Sequence, residues 1–135
     1  MSETTLKIRV TYKDTDQMGF VYYGNYMTWF EMARTEHIRS LGVNYKDLEH
    51  KGEFLPVLEV YCKYRKAACY DDIIHVSSSI THVGKSSLKF AYKLSKNGDK
   101  AIIAEGWTAH CFCDREGKPT RMPQELTEIL HASKI

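Results

Sequence analysis

From Thr5 to Tyr12 the chain alternates Leu6, Ile8, Val10 and Tyr12 with polar neighbours, the two-residue period of a strand with one buried face. The period then changes. Tyr26, Trp29, Phe30, Ala33, His37, Ile38 and Leu41 recur three and four apart until Gly42, which predicts a helix of about four to five turns closed by a glycine stop. Adjacent Trp29 and Phe30 broaden its apolar face, so the helix is expected to lie deep against a sheet. Residues 43–52 read as a short helix or an irregular link. Alternation resumes after Pro56 through Leu58, Val60, Cys62 and Tyr64, and again through Ile74, Val76, Ser78 and Ile80 after a turn at Tyr70-Asp71-Asp72.

Leu88, Phe90, Tyr92 and Leu94 predict a fourth strand that ends at Asn97-Gly98, a hairpin signal leading into a fifth strand from Ala101 to Phe112. Pro123 ahead of Leu126, Ile129 and Leu130 predicts a short amphipathic terminal helix. The order β-α-β-β-β-β-α is an α+β arrangement, with the helix on one face of a curled antiparallel sheet. Tyr92, Ile103 and Trp107 are expected to leave apolar area exposed in a monomer, which points to a homo-oligomer.

With 135 residues, 43% of them hydrophobic, the chain suits one domain over residues 1–135. Its 19 basic and 17 acidic residues are dispersed, which argues against a nucleic-acid-binding tail or a polybasic membrane anchor. No apolar run approaches a membrane span, and the polar start Met1-Ser2-Glu3-Thr4-Thr5 lacks a signal-peptide core, so a cytoplasmic location is expected. Cys62, Cys69, Cys111 and Cys113 form no C-x-x-C pair, and Cys62 and Cys111 are expected to act as small buried hydrophobes. His75, His82 and His110 lack metal-ligand spacing. Neither a Rossmann nor a P-loop glycine signature is present.

The segment from Asp14 to Tyr26 carries two acids, two glycines and three tyrosines, the third of which, Tyr26, lies in the first turn of the helix. An acid in a loop that runs into a helix start lies beside backbone N–H groups able to polarise a carbonyl, which suits acyl transfer. A thioester carbonyl is more electrophilic than that of an oxygen ester. A positioned carboxylate with one or two N–H donors therefore suffices without a serine–histidine pair, a single donor being worth ~2.7–4 kcal/mol in another hydrolase. Spacing alone leaves Asp14 and Asp16 equally open to turn and capping roles. Glu31 and Arg34, three apart, are expected to form an ordinary ion pair, and His37 to be a hydrogen-bonded core or interface histidine. Gly84-Lys85-Ser86-Ser87 is either a solvated turn or a cationic loop that holds the phosphates or pantetheine of coenzyme A.

Asp14-Thr15-Asp16, Gly19, Val21-Tyr22-Tyr23, Asn25-Tyr26, Phe30-Glu31, Ala33-Arg34 and Tyr70-Asp71-Asp72 together resemble the 4-hydroxybenzoyl-CoA thioesterase family of hotdog-fold acyl-CoA thioesterases. The resemblance covers most of the chain. It implies a long central helix wrapped by a curved antiparallel five-stranded sheet, a homodimer as the active unit and a homotetramer as the larger assembly. It further implies Asp16 as nucleophile or general base, the Tyr23 and Gly24 amides as ligands of the thioester oxygen, and Lys85 and Ser86 as coenzyme A contacts. No metal or redox cofactor is implied, since coenzyme A is part of the substrate; neither is a nucleic-acid partner. Gly24 stands where relatives carry proline or alanine, and Tyr23 where some carry histidine, departures that bear on acyl preference. Two rival functions are an acyl-carrier-protein thioesterase, separated by its rate on acyl-carrier substrates, and a non-catalytic acyl-CoA binding module, separated by its failure to release thiol. A hotdog hydratase fits less well, because its acid–histidine pair has no counterpart here.

Overall fold

The computed structural model describes residues 3–132; Met1 and Ser2 of the polar start lie outside them. Along the chain come β1 (Glu3–Arg9), a 3-10 turn (Tyr12–Asp14), α1 (Asn25–Ser40), α2 (Tyr45–His50), β2 (Val57–Tyr64), β3 (Ile73–Val83), β4 (Ser87–Lys96), β5 (Ala104–Cys111) and α3 (Gln124–Ala132). The strands form one antiparallel sheet in the order β1-β3-β4-β5-β2. The two strands that precede and follow the helical segment are thus its edges.

The α1 face predicted from the three-and-four spacing is the buried one: Tyr26, Trp29, Phe30, Ala33, His37 and Ile38 all leave solvent. Phe30 stacks on Tyr92 of β4 with ring centroids 4.2 Å apart, and Val76, Leu88, Phe90 and Leu94 complete the layer beneath the helix. Deleting one such aromatic costs ~3–5 kcal/mol through lost burial and the cavity left behind. Gly106 makes the close approach possible. A Cβ there would run into the Tyr61 carbonyl of β2 and sit 3.1 Å from Phe30 Cε2.

Three expectations need correction. The first strand stops at Arg9, before Tyr12, because the Asp14 carboxylate accepts from Thr11 N at 2.8 Å and Thr11 Oγ1 at 2.9 Å and so winds the chain into the 3-10 turn. The fifth strand begins at Ala104 and not at Ala101. Asn97 spends its side chain on β3, accepting from Ile73 N at 2.8 Å and donating to Asp72 at 3.1 Å, so β4 runs on along β3 to Lys96 while its pairing with β5 ends at Leu94. The link is a longer loop in place of a two-residue hairpin. Lastly, Tyr92 and Ile103 face the core and are each 1% exposed. The exposed apolar area lies instead on edge strand β2, at Val57, Leu58, Val60, Tyr61 and Tyr64.

Candidate active site

Asp14 and Asp16 separate cleanly in the structure. Asp14 is structural: besides its grip on Thr11, its carbonyl accepts from Tyr22 N at 2.8 Å and from Asn25 Nδ2 at 2.7 Å, which ties the turn to the start of α1. Asp16 heads a tight reversal in which its N–H donates to Phe20 O at 2.8 Å and its carbonyl accepts from Gly19 N at 3.0 Å. Gly19 has φ +83°, a conformation that glycine adopts without steric cost. The Asp16 Oδ1 accepts from Met18 N at 2.8 Å and Phe20 N at 3.3 Å, so the carboxylate is held in one orientation. Its Oδ2 accepts no hydrogen bond among the described residues.

That carboxylate borders a groove of about 310 Å³ lined also by Phe20, Tyr23, Tyr26, Tyr64 and Arg65. One wall is the start of α1, which has no side-chain cap. The N–H groups of Asn25, Tyr26 and Met27 donate back to Tyr22, Tyr23 and Gly24 carbonyls, whereas those of Tyr23 and Gly24 donate to nothing among the described residues. Open N–H groups at a helix start carry partial positive charge and favour an anionic oxygen. Gly24 matters here for space: a Cβ would lie 2.7 Å from Cε2 of the Tyr22 ring that covers it. From the opposite wall the Tyr64 hydroxyl donates to the Tyr23 carbonyl at 3.1 Å, and the Tyr64 ring meets Tyr26 edge-on at 4.9 Å. Desolvation, aided by the contact with the Cys62 thiol, raises the Tyr64 pKa well above the usual phenol value. Arg65 is engaged with Glu105 at 3.1 Å.

Lys85 and Ser86 are elsewhere. The Asp16 turn is pinned to the segment just before β3, through Val21 N to Ala68 O at 2.8 Å and a bridge between Phe20 and Cys69. The Lys85 turn follows the far end of β3, an 11-residue strand whose length is roughly 33 Å. Lys85 lines a second groove of about 410 Å³ with Arg121, Met122, Gln124, Thr127 and His131. Ser86 contributes its carbonyl to Phe112 N at 2.8 Å and is not among the lining residues.

The remaining polar groups singled out from the sequence are internal. His37 is fully buried with Nδ1 3.0 Å from Ser78 Oγ, and burial lowers its pKa. Tyr92 Oη and His110 Nε2 both meet Thr108 Oγ1 at 2.7 Å. Desolvation, reinforced by the Arg34 guanidinium, lowers the His110 pKa to about 4. Contrary to expectation, no ion pair joins Glu31 and Arg34 among the described residues. Arg34 instead lies within electrostatic reach of Tyr45, Tyr92 and His110, and the helix's other acid, Glu36, pairs with Arg39. The four cysteines are free and partly exposed, not buried. Among the described residues no three His, Cys, Asp or Glu side chains converge as metal ligands.

Sequence reasoning missed Tyr64, Arg121 and His131. Tyr64 reads as one more apolar position of a strand, and its hydroxyl contact spans 41 residues. Arg121 and His131 reach Lys85 only because Met122 N donates to Lys85 O at 2.8 Å and docks the start of α3 there. No local pattern announces either contact.

The fold has known counterparts. The acyl-CoA thioesterase YbgC of Haemophilus influenzae is 30% identical over 130 residues, covering 94% of this chain and 93% of that protein. The crystal structure of a DHNA-CoA thioesterase from Staphylococcus aureus superposes with a TM-score of 0.94 at 27% identity, over 99% of this chain and 92% of that one. A 4-hydroxybenzoyl-CoA thioesterase complexed with 4-hydroxybenzoyl-CoA shares the fold, with a TM-score of 0.86 at 19% identity over 94% of this chain and 97% of that one. The family description that matches residues 10–130, nearly the whole chain, is that of the thioesterase-like proteins, and this chain belongs to that superfamily.

Proposed function

We propose that this thioester hydrolase acts on acyl-CoA, releasing a free acid and coenzyme A, with Asp16 as the reacting carboxylate. The observation that carries the reading is the pairing of an oriented carboxylate that keeps one oxygen free with two open N–H groups at the start of α1, along one groove. The thioester carbonyl oxygen sits against the Gly24 N–H, with Tyr23 N–H as the second donor. As negative charge builds on that oxygen, the helix start stabilises it. Asp16 Oδ2 either attacks the carbonyl carbon or takes a proton from the water that does. Either way the C–S bond breaks, one water is consumed, and the thiolate leaves as the protonated coenzyme A thiol.

The active unit is a homodimer in this reading. Edge strand β2 exposes apolar side chains along its length, Leu58 at 64% and Val60 at 49%, and an unpaired apolar edge is a template for another strand. Pairing β2 antiparallel with its copy about a two-fold axis continues the sheet across both protomers. It also reverses one end against the other: the Asp16 end of one protomer comes to the Lys85 end of its partner. The Lys85 and Arg121 charges then meet coenzyme A phosphates bound across the interface. Such a substrate places the enzyme in the cytoplasm.

Thiol release from acyl-CoA, tested across short, long and aromatic acyl groups and compared with acyl-carrier-protein substrates, checks the reading. Binding of acyl-CoA with no thiol released by any substrate would refute it.

A further inference from the structure

The Tyr23–Gly24 peptide is anchored from outside its own helix. Its carbonyl accepts from Tyr26 N at 3.2 Å, as in any first helical turn, and also from the Tyr64 hydroxyl at 3.1 Å, which arrives from the last residue of β2. In a planar trans peptide the C=O and N–H point in opposite directions, and no peptide among the described residues is cis. The bond that aims the Tyr23 carbonyl therefore aims the Gly24 N–H. A donor on a carbonyl also polarises the attached amide, strengthening its own N–H as a donor by roughly a tenth to a third. The anchor is needed where glycine gives the backbone its widest freedom, and Gly24 has φ −63° with no side-chain cap.

Tyr64 is itself held in place. Its ring meets Tyr26 edge-on at 4.9 Å and Tyr23 at 6.4 Å, and Tyr26 is only 3% exposed. Its hydroxyl lies between the Tyr23 carbonyl and the Cys62 thiol, and the raised pKa keeps the proton on the phenol, where it donates.

We infer that Tyr64 is a positioning residue for the thioester oxyanion: its hydroxyl, reaching across from the end of β2, aims and polarises the Gly24 N–H through the Tyr23 carbonyl. The inference rests on the proposed placement of the thioester oxygen at that amide.

Tyr64→Phe removes the hydroxyl and keeps the ring. Turnover should fall ~3–10-fold, the scale of one neutral hydrogen bond, with KM unchanged. The decisive readout is the carbonyl stretch of a 13C-carbonyl acyl-CoA bound to the turnover-blocked Asp16→Asn protein, measured by isotope-edited infrared difference spectroscopy. In that complex the stretch should lie below its frequency in free substrate, and adding Tyr64→Phe should move it back toward the free value. Because only folded protein holds the probe, a loss of stability cannot imitate this shift. A red-shifted stretch that Tyr64→Phe leaves in place, or a Tyr64→Phe enzyme with full turnover, overturns the role of Tyr64 alone. A bound stretch equal to the free one with Tyr64 intact overturns the placement of the oxygen, and the inference with it.

Discussion

The two ends of β3 are opposites in chemistry. At the Ile73 end stand an acid with a free oxygen, open helix-start amides and a cluster of tyrosines; at the Val83 end stand Lys85, Arg121 and His131 around a wider groove. The first end brings a carboxylate and a helix start together, and of the two cations lining its groove Arg65 is paired with Glu105 while Lys66 has no ion-pair partner among the described residues. The second can hold phosphates and has no oriented carboxylate among its lining residues. In the proposed reading the two ends together make one acyl-CoA site. In the proposed homodimer a second copy, turned end for end at the exposed β2 edge, bridges the separation along the 11-residue strand.

The comparison breaks hardest at Asp16. Asp16→Asn keeps the size of the side chain and an oxygen for the Met18 and Phe20 amides while removing the base or nucleophile. Turnover should drop ~10²–10⁴-fold with acyl-CoA affinity retained, as read by thiol release beside equilibrium binding. Asp14→Asn, by contrast, should act on melting temperature more than on chemistry, because its carboxylate holds Thr11 and not substrate.

Next in size is the edge. Val60→Asp places a carboxylate on β2 where pairing would strip it of water, a change worth several kcal/mol when the charge finds no partner. Sedimentation should show monomers, and specific activity should fall steeply as the protein is diluted. A fully active monomer would mean that each chain holds a whole site and that the two ends of β3 never cooperate.

How much of this was legible in the chain divides along the same line. Wherever one face of an element is buried, the period shows: α1, β3 and β4 follow directly from their apolar spacing, whereas spacing did not separate Asp16 from Asp14 and only the family resemblance did. The ends of β1 and β5 were not legible, because side chains set them: Asp14 winds one into a turn and Asn97 diverts the other toward β3. The Lys85 cluster was half visible, since Arg121 and His131 join it only through the docking of α3. Tyr64 was invisible, as a strand tyrosine gives no sign of which carbonyl its hydroxyl will find.

The two ends should also differ in their response to acid. His110 pairs across strands with Leu88 and Val57, at the Lys85 end, and it is 1% exposed with a pKa of about 4. An unfolded histidine takes up its proton near pH 6.5, so between about pH 6.5 and 4 the unfolded chain binds a proton that the folded one refuses. Stability is therefore full at neutral pH and declines as the pH falls through that window, by up to ~3 kcal/mol. His37, lowered in the same direction by burial, adds to the slope. Denaturant melts at pH 7 and 4.5 should show the loss, and His110→Gln should flatten it. An equal pH slope in that variant would move the acid sensitivity away from this end.

The smallest expected effect is the sharpest probe of how the ends meet. Removing the paired charges with Lys85→Ala and Arg121→Ala should raise KM for acyl-CoA ~5–10-fold, since each exposed charge contributes up to about 1 kcal/mol, and leave kcat nearly intact. The penalty should shrink with added salt, because screening weakens the wild-type contact. Mixing then reads the geometry. In a heterodimer of the Asp16→Asn chain and the Lys85→Ala, Arg121→Ala chain, one site would carry every change and the other none. Co-expressed chains should regain about a quarter of the wild-type sites, by random pairing of two-fold symmetric subunits, and with them a component of wild-type KM. A single chain that serves its own substrate at both ends would never produce that component, whatever the ratio of the two chains.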